Sequence, residues 1–148
     1  VGAGTVLKVE QVEKAVAAGA RFIVTPGFNP RVVDYCVEHR IPVYPGINNP
    51  MGVEAALERD LRVLKFFPAE ASGGIAMLKA MAAPYGEVRY IPTGGVSLDN
   101  LRDYLSQPFV HAVGGSWLVK GALVSAGDFD TIRRLASEAV EVARSITG

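Results

Sequence analysis

Six times in 148 residues the chain passes from a short apolar run through a turn of Gly, Pro or Thr into a helix-like segment. The turns are Gly2-Ala3-Gly4-Thr5, Val24-Thr25-Pro26-Gly27, Val43-Tyr44-Pro45-Gly46, Phe66-Phe67-Pro68-Ala69, Ile91-Pro92-Thr93-Gly94-Gly95 and Val113-Gly114-Gly115-Ser116. Their spacing leaves room for one strand and one helix per unit, which predicts an α/β fold with a parallel sheet. Two architectures compete. An open, doubly wound sheet accommodates the length, whereas a (β/α)8 TIM barrel needs eight units and about 200 residues or more. The first residues already read as a strand and Val1 is not an initiator methionine, which favours a barrel whose first two βα units are missing from this chain. No linker, charge block or low-complexity stretch divides it, so residues 1–148 read as a single, partial barrel domain.

The segments between the strands carry helix signals. Val9, Val12 and Val16 form a stripe that faces a sheet. Asn29-Pro30 and Asn49-Pro50 each pair an N-cap with proline at the first helical position. Ser97, with Asn100 downstream, and Asp128 are further caps, and Gly19 and Gly86 fit helix ends. A last helix from about Thr131 to Ile146 places Ile132, Leu135, Ala139 and Val142 on one face.

Fifteen basic residues balance fifteen acidic ones, so there is no electrostatic case for a nucleic-acid or membrane-surface partner. The single cysteine, Cys36, excludes an internal disulfide and a cysteine-rich metal site. His39 and His111 are far apart and share no face with a carboxylate cluster, so no metal site is expected. His39 reads as a surface residue, and His111 as packed at the amino end of its strand. No segment is apolar for long enough to cross a bilayer, and no secretion signal opens the chain; the expected compartment is the cytoplasm.

Lys65 stands inside the run Val63-Leu64-Lys65-Phe66-Phe67. A buried, unpaired ammonium is costly, so an amine there sheds its proton and becomes a nucleophile toward carbonyls. Pairing with a carboxylate, or a place at a strand end in water, fits the same stretch, and the stretch alone favours that plainer account. Strand parity puts Val63, Lys65 and Phe67 on one face and Leu64 and Phe66 on the other. The other lysines, Lys8, Lys14, Lys79 and Lys120, fall in helices or loops. Glu70 is near enough in sequence to serve as a general base, but equally fits a first-turn residue or a salt-bridge partner.

Gly94-Gly95 and Gly114-Gly115-Ser116 end consecutive strands. Paired glycines free backbone N–H groups to converge on an anion, and the loops after strands 7 and 8 of a barrel commonly bind phosphate. Ser72-Gly73-Gly74 is a third such segment and ranks lower.

Taken in order, Val1-Gly-Ala-Gly-Thr5, Val24-Thr-Pro-Gly27, Pro45-Gly46, Lys65-Phe-Phe-Pro-Ala-Glu70, Pro92-Thr-Gly-Gly95 and Gly114-Gly-Ser-Trp117 resemble 2-keto-3-deoxy-6-phosphogluconate (KDPG) aldolase, a class I aldolase family. The resemblance runs along essentially the whole chain, corresponding to strands 3 to 8. It implies that Lys65 forms a Schiff base with the pyruvate carbonyl and that Thr5 and Thr93 lie near the pyruvate carboxylate and substrate hydroxyls. It further implies that Pro26 and Phe67 line the pocket and that Gly94, Gly95, Gly115 and Ser116 bind phosphate. The implied reaction is reversible cleavage of KDPG to pyruvate and glyceraldehyde 3-phosphate, extending in some relatives to 4-hydroxy-2-oxoglutarate. No cofactor is implied; the implied assembly is a homotrimer. The family's acid/base glutamate and carboxylate-binding arginine belong to its second strand and have no counterpart among these residues. Two other accounts remain open at this point: an aldolase for the galactonate epimer, and a non-catalytic α/β piece that only binds phosphate.

Overall fold

The computed structural model describes residues 1–147. Helix α1 (Val9–Ala17) precedes β1 (Ile23–Val24), and α2 (Pro30–Glu38) precedes β2 (Val43–Tyr44) and β3 (Gly46–Ile47). Then follow α3 (Pro50–Leu57), β4 (Val63–Phe66), α4 (Gly74–Ala82), β5 (Arg89–Pro92) and α5 (Leu98–Leu105). A 3-10 turn (Trp117–Val119), a short helix α6 (Gly121–Ser125) and α7 (Phe129–Thr147) complete the described chain. This is an α/β fold in which every strand pairing is parallel.

The pairings follow chain order. Ala3 bridges Ile23, Ile23 pairs with Val43, Gly46 with Lys65, Lys65 with Ile91, and Thr93 bridges Gly114. Pro45 interrupts the ladder because it has no N–H to give; before it β2 pairs with β1, and after it β3 pairs with β4. Among the described residues, the first and last of the six segments join their neighbours through isolated bridges rather than full ladders.

The outward faces of the strands meet the helices in two apolar clusters. Leu64, Phe66 and Tyr90 pack with Val53, Ala56, Leu78, Met81 and Tyr104 in the larger one, all at most 4% exposed. Val12, Ile23, Val32, Val33, Cys36 and Val43 form the smaller. Phe28 and Leu61 touch both, joining them into one layer of helices against strands. Fully burying each such side chain is worth about 1.5–3 kcal/mol, so these clusters supply the main force holding helices to strands.

The caps act where the sequence places them. Asn29 accepts from the Arg31 N–H and Asn49 from the Gly52 N–H, each with proline opening the helix. Ser97 and Asn100 cap α5 reciprocally, and Asp128 accepts from Thr131 at the start of α7. Lys8 gives α1 no side-chain cap; Gln11 instead accepts from the N–H groups of Leu7 and Lys8. Gly19 takes φ +93° after α1 as expected. Gly86 does not end a helix: α4 stops at Ala82, two residues before Pro84, and Gly86 lies in the following turn.

Candidate active site

Lys65 lies in β4, the central strand of the three-stranded sheet, at a position paired with a neighbour on both sides. Its alternation with Leu64 and Phe66 turns it away from the helices, into a cleft of about 530 Å³. Gly4, Val24, Tyr44, Ile91, Thr93 and Gly114 also line this cleft, so all six strand segments contribute to one cavity. The parallel array is therefore strongly curled. A residue only 8% exposed, Lys65 has no carboxylate partner and forms no ion pair among the described residues. Burial holds its pKa below the ordinary lysine value of 10.5, which raises the fraction of nucleophilic amine at neutral pH. Its Nζ lies 4.6 Å from the centroid of the Phe67 ring, which shields the amine on the side toward the strand's carboxyl end. The plainer account of Lys65, paired or in water, is thereby set aside.

Thr93 follows Ile91 on the same face and enters the cleft beside Lys65; its hydroxyl donates to the Ile91 carbonyl at 3.3 Å. Gly114 passes directly over that hydroxyl: a Cβ there would stand 2.6 Å from Thr93 Oγ1. Just beyond Thr93 and Gly114 come the two glycine loops. Gly94 and Gly95 take φ +98° and +82°, a conformation that glycine tolerates best. Among the described residues, none accepts from the N–H groups of Gly94, Gly95, Gly115 or Ser116. Ser116 is exposed at the start of the 3-10 turn, and its side chain makes no capping bond. Four open donors on adjoining loops suit an anion.

The third glycine pair differs. Gly73 donates to the Glu70 carbonyl and Gly74 to that of Ala69, so neither amide is open to a ligand. Glu70 itself does not reach the cleft; its carboxylate accepts from the Tyr104 hydroxyl on α5.

Two other expected pocket residues are placed elsewhere. Thr5 is exposed at the end of the first segment and does not line the cleft, although its neighbour Gly4 does. Pro26 lines a separate groove of about 710 Å³ between α2 and α3. Its carbonyl lies against Gly46, where any Cβ would collide with it, and Phe67 lines the same groove rather than the cleft, although its ring lies against the Lys65 amine. In the groove Arg59 stacks on Phe28 at 5.3 Å and pairs with Asp34, holding that carboxyl below its usual range.

Sequence reasoning missed Tyr44, Ile91 and His111 as cleft residues. Ile91 was within reach, since it sits opposite Lys65 in parallel register. His111 is exposed at the cleft rather than packed at the strand's amino end, because the curl of the array leaves its side uncovered.

Over residues 1–135 the chain matches the family described as KDPG and KHG aldolase. The chain belongs to this family. It is 51% identical over 141 residues to the 2-dehydro-3-deoxy-phosphogluconate aldolase of Treponema pallidum, covering 95% of this chain and 67% of that one. It is also similar to the solved KDPG aldolase of Legionella pneumophila with pyruvate captured as a covalent carbinolamine intermediate. That similarity has a TM-score of 0.87 at 38% identity and covers 90% of this chain and 65% of the other. The 2-keto-3-deoxy-6-phosphogluconate aldolase of Zymomonas mobilis ZM4, solved with 3-phosphoglycerate, gives a TM-score of 0.87 at 39% identity, over 94% of this chain and 65% of that one. The chain thus spans about two thirds of the length of these relatives. Among the described residues no group of His, Cys, Asp and Glu is placed to hold a metal ion, and no helix is long and apolar enough to cross a membrane.

Proposed function

We propose that the protein is a class I aldolase that cleaves 2-dehydro-3-deoxy-6-phosphogluconate to pyruvate and glyceraldehyde 3-phosphate, with Lys65 as the Schiff-base lysine. The observation that carries this reading is the buried, unpaired amine of Lys65 in a cleft whose rim bears unpartnered glycine amides. The family match and the relatives' names agree with it.

In the proposed cycle the neutral Nζ attacks the C2 carbonyl carbon to give a carbinolamine, and loss of water gives an iminium. The C3–C4 bond then breaks. Its electron pair passes into the iminium to form an enamine, while the C4 hydroxyl gives up its proton to solvent water, which returns one to C3 in the next step, and becomes the aldehyde of glyceraldehyde 3-phosphate. Protonation of the enamine at C3 and hydrolysis release pyruvate and restore Lys65. The Phe67 ring excludes water from the amine, and Thr93 donates a hydrogen bond to a substrate oxygen in exchange for its bond to Ile91. The amides of Gly94, Gly95 and Gly115, with the Ser116 hydroxyl, hold the phosphate. Thr5 and Pro26, which the family resemblance brings to the substrate, lie outside the lining of this cleft. The residues lining the cleft include no carboxylate.

The six parallel segments are proposed as the last six units of a (β/α)8 barrel, with residues 1–148 forming one domain of it. Support comes from the single cavity shared by all six segments and from the relatives' greater length. A homotrimer and a cytoplasmic location complete the proposal; light scattering and cell fractionation test them.

The decisive experiment is borohydride reduction of the full-length protein in the presence of pyruvate, followed by peptide mass spectrometry. The expected product is a reduced pyruvyl adduct on Lys65. Label on another residue, or none, sinks the assignment. Turnover of the gluconate and galactonate epimers side by side identifies the substrate.

A further inference from the structure

Glu70 and Tyr104 form a contact that the chemistry of the cleft leaves unused. The Tyr104 hydroxyl, on a residue fully buried in α5, donates to Glu70 Oε1. Glu70 lies in the turn that leaves the Lys65 strand, and its N–H donates to the Gly94 carbonyl at 3.1 Å. Its side-chain stem fills the space beside Gly95: a Cβ on Gly95 would stand 2.5 Å from Glu70 Cγ and 2.6 Å from its Cβ. Its carboxylate is wedged against Gly74, where an added Cβ would come within 3.2 Å of Oε1 and 3.5 Å of the Tyr104 hydroxyl. From the same helix Asn100 Nδ2 donates to the Gly95 carbonyl at 3.3 Å. The Gly94-Gly95 loop is thus gripped by its own following helix and by Glu70, which that helix latches in place. Burial and the bond to Glu70 both push the Tyr104 phenol up, so it stays a donor throughout the working pH range.

We propose that Tyr104 and Glu70 are positioning residues that set the Gly94-Gly95 amides for a phosphate group, and so set preference for a phosphorylated over an unphosphorylated keto acid. The inference rests on the assignment of Gly94 and Gly95 to phosphate, and the close fit against Glu70 also accounts for Gly74, a glycine whose amide is not open to a ligand.

The test compares the full-length protein with its Tyr104→Phe, Glu70→Ala and Glu70→Gln variants on two substrates that differ only in the phosphate, and measures inorganic phosphate binding by calorimetry. Loss of the latch is expected to raise KM for the phosphorylated keto acid about tenfold in Tyr104→Phe and Glu70→Ala, with kcat little changed. The unphosphorylated substrate should keep its kcat/KM, and phosphate binding should weaken by a similar factor. Glu70→Gln, which still accepts from Tyr104, should restore most of the wild-type behaviour. Equal losses on both substrates mean a merely structural role and overturn the proposal, as does unchanged phosphate binding. If no protein turns over either substrate but Tyr104→Phe still weakens phosphate binding, the positioning role stands and the aldolase reading falls.

Discussion

At the scale of single residues, the position of Lys65 in the strand decides its chemistry. Desolvation lowers its pKa, so the native state releases this proton more readily than the unfolded chain does. The sign follows: between the lowered native value and 10.5 the unfolded state holds more protons, and stability rises with pH. That stability is full above 10.5, is lost as pH falls through the window, and is flat below the native value. Lys65→Met should abolish pyruvate trapping, raise stability at neutral pH by about 1 kcal/mol, and flatten this slope. Thermal melts across pH, set beside the trapping assay, check all three. In the wild type, trapping should persist at pH values where an ordinary lysine is almost wholly protonated.

The strands here are two to four residues long, and what they achieve depends on the turns that follow them. The loop after β5 shows this most clearly. Gly95 combines φ +82° with direct contact on Glu70, so Gly95→Ala meets both a disfavoured backbone and an occupied space. Denaturant unfolding should show a loss of about 1–2 kcal/mol. Phosphate affinity should fall with it, because the displaced loop no longer aims its amides. The caps of α2, α3, α5 and α7 were legible in the sequence because capping needs only a few neighbouring residues. Gly86 misled for the same reason: a glycine near a helix end signals a stop, but Pro84 lies close after α4 and Gly86 is left to the turn.

Across the whole molecule, the curl of the array turns six local motifs into one site. It also leaves two edges: among the described residues the segment at Ala3 pairs only with β1, and the segment from Val110 to Gly114 only with β5 and Thr93 just after it. Unpaired edges flanking an apolar cleft invite association with other chains. Prepared as these 148 residues alone, the protein should form concentration-dependent aggregates and melt without a sharp transition. Light scattering with calorimetry checks this, and a monodisperse, cooperatively melting species would contradict it.

The sequence by itself determined the order of βα units, the helix caps, the odd lysine in an apolar strand, the paired glycines and the family. Each of these is carried by a residue type and its near neighbours, or by motifs in series. Only the tertiary structure decided that Glu70 faces Tyr104 rather than the cleft, that Pro26 and Phe67 border a second groove, and that Gly73-Gly74 spends its amides within its own turn. The first two outcomes depend on which distant segments meet in the fold, as Glu70 and Tyr104 do from 34 positions apart, and such contacts leave no local mark in the chain.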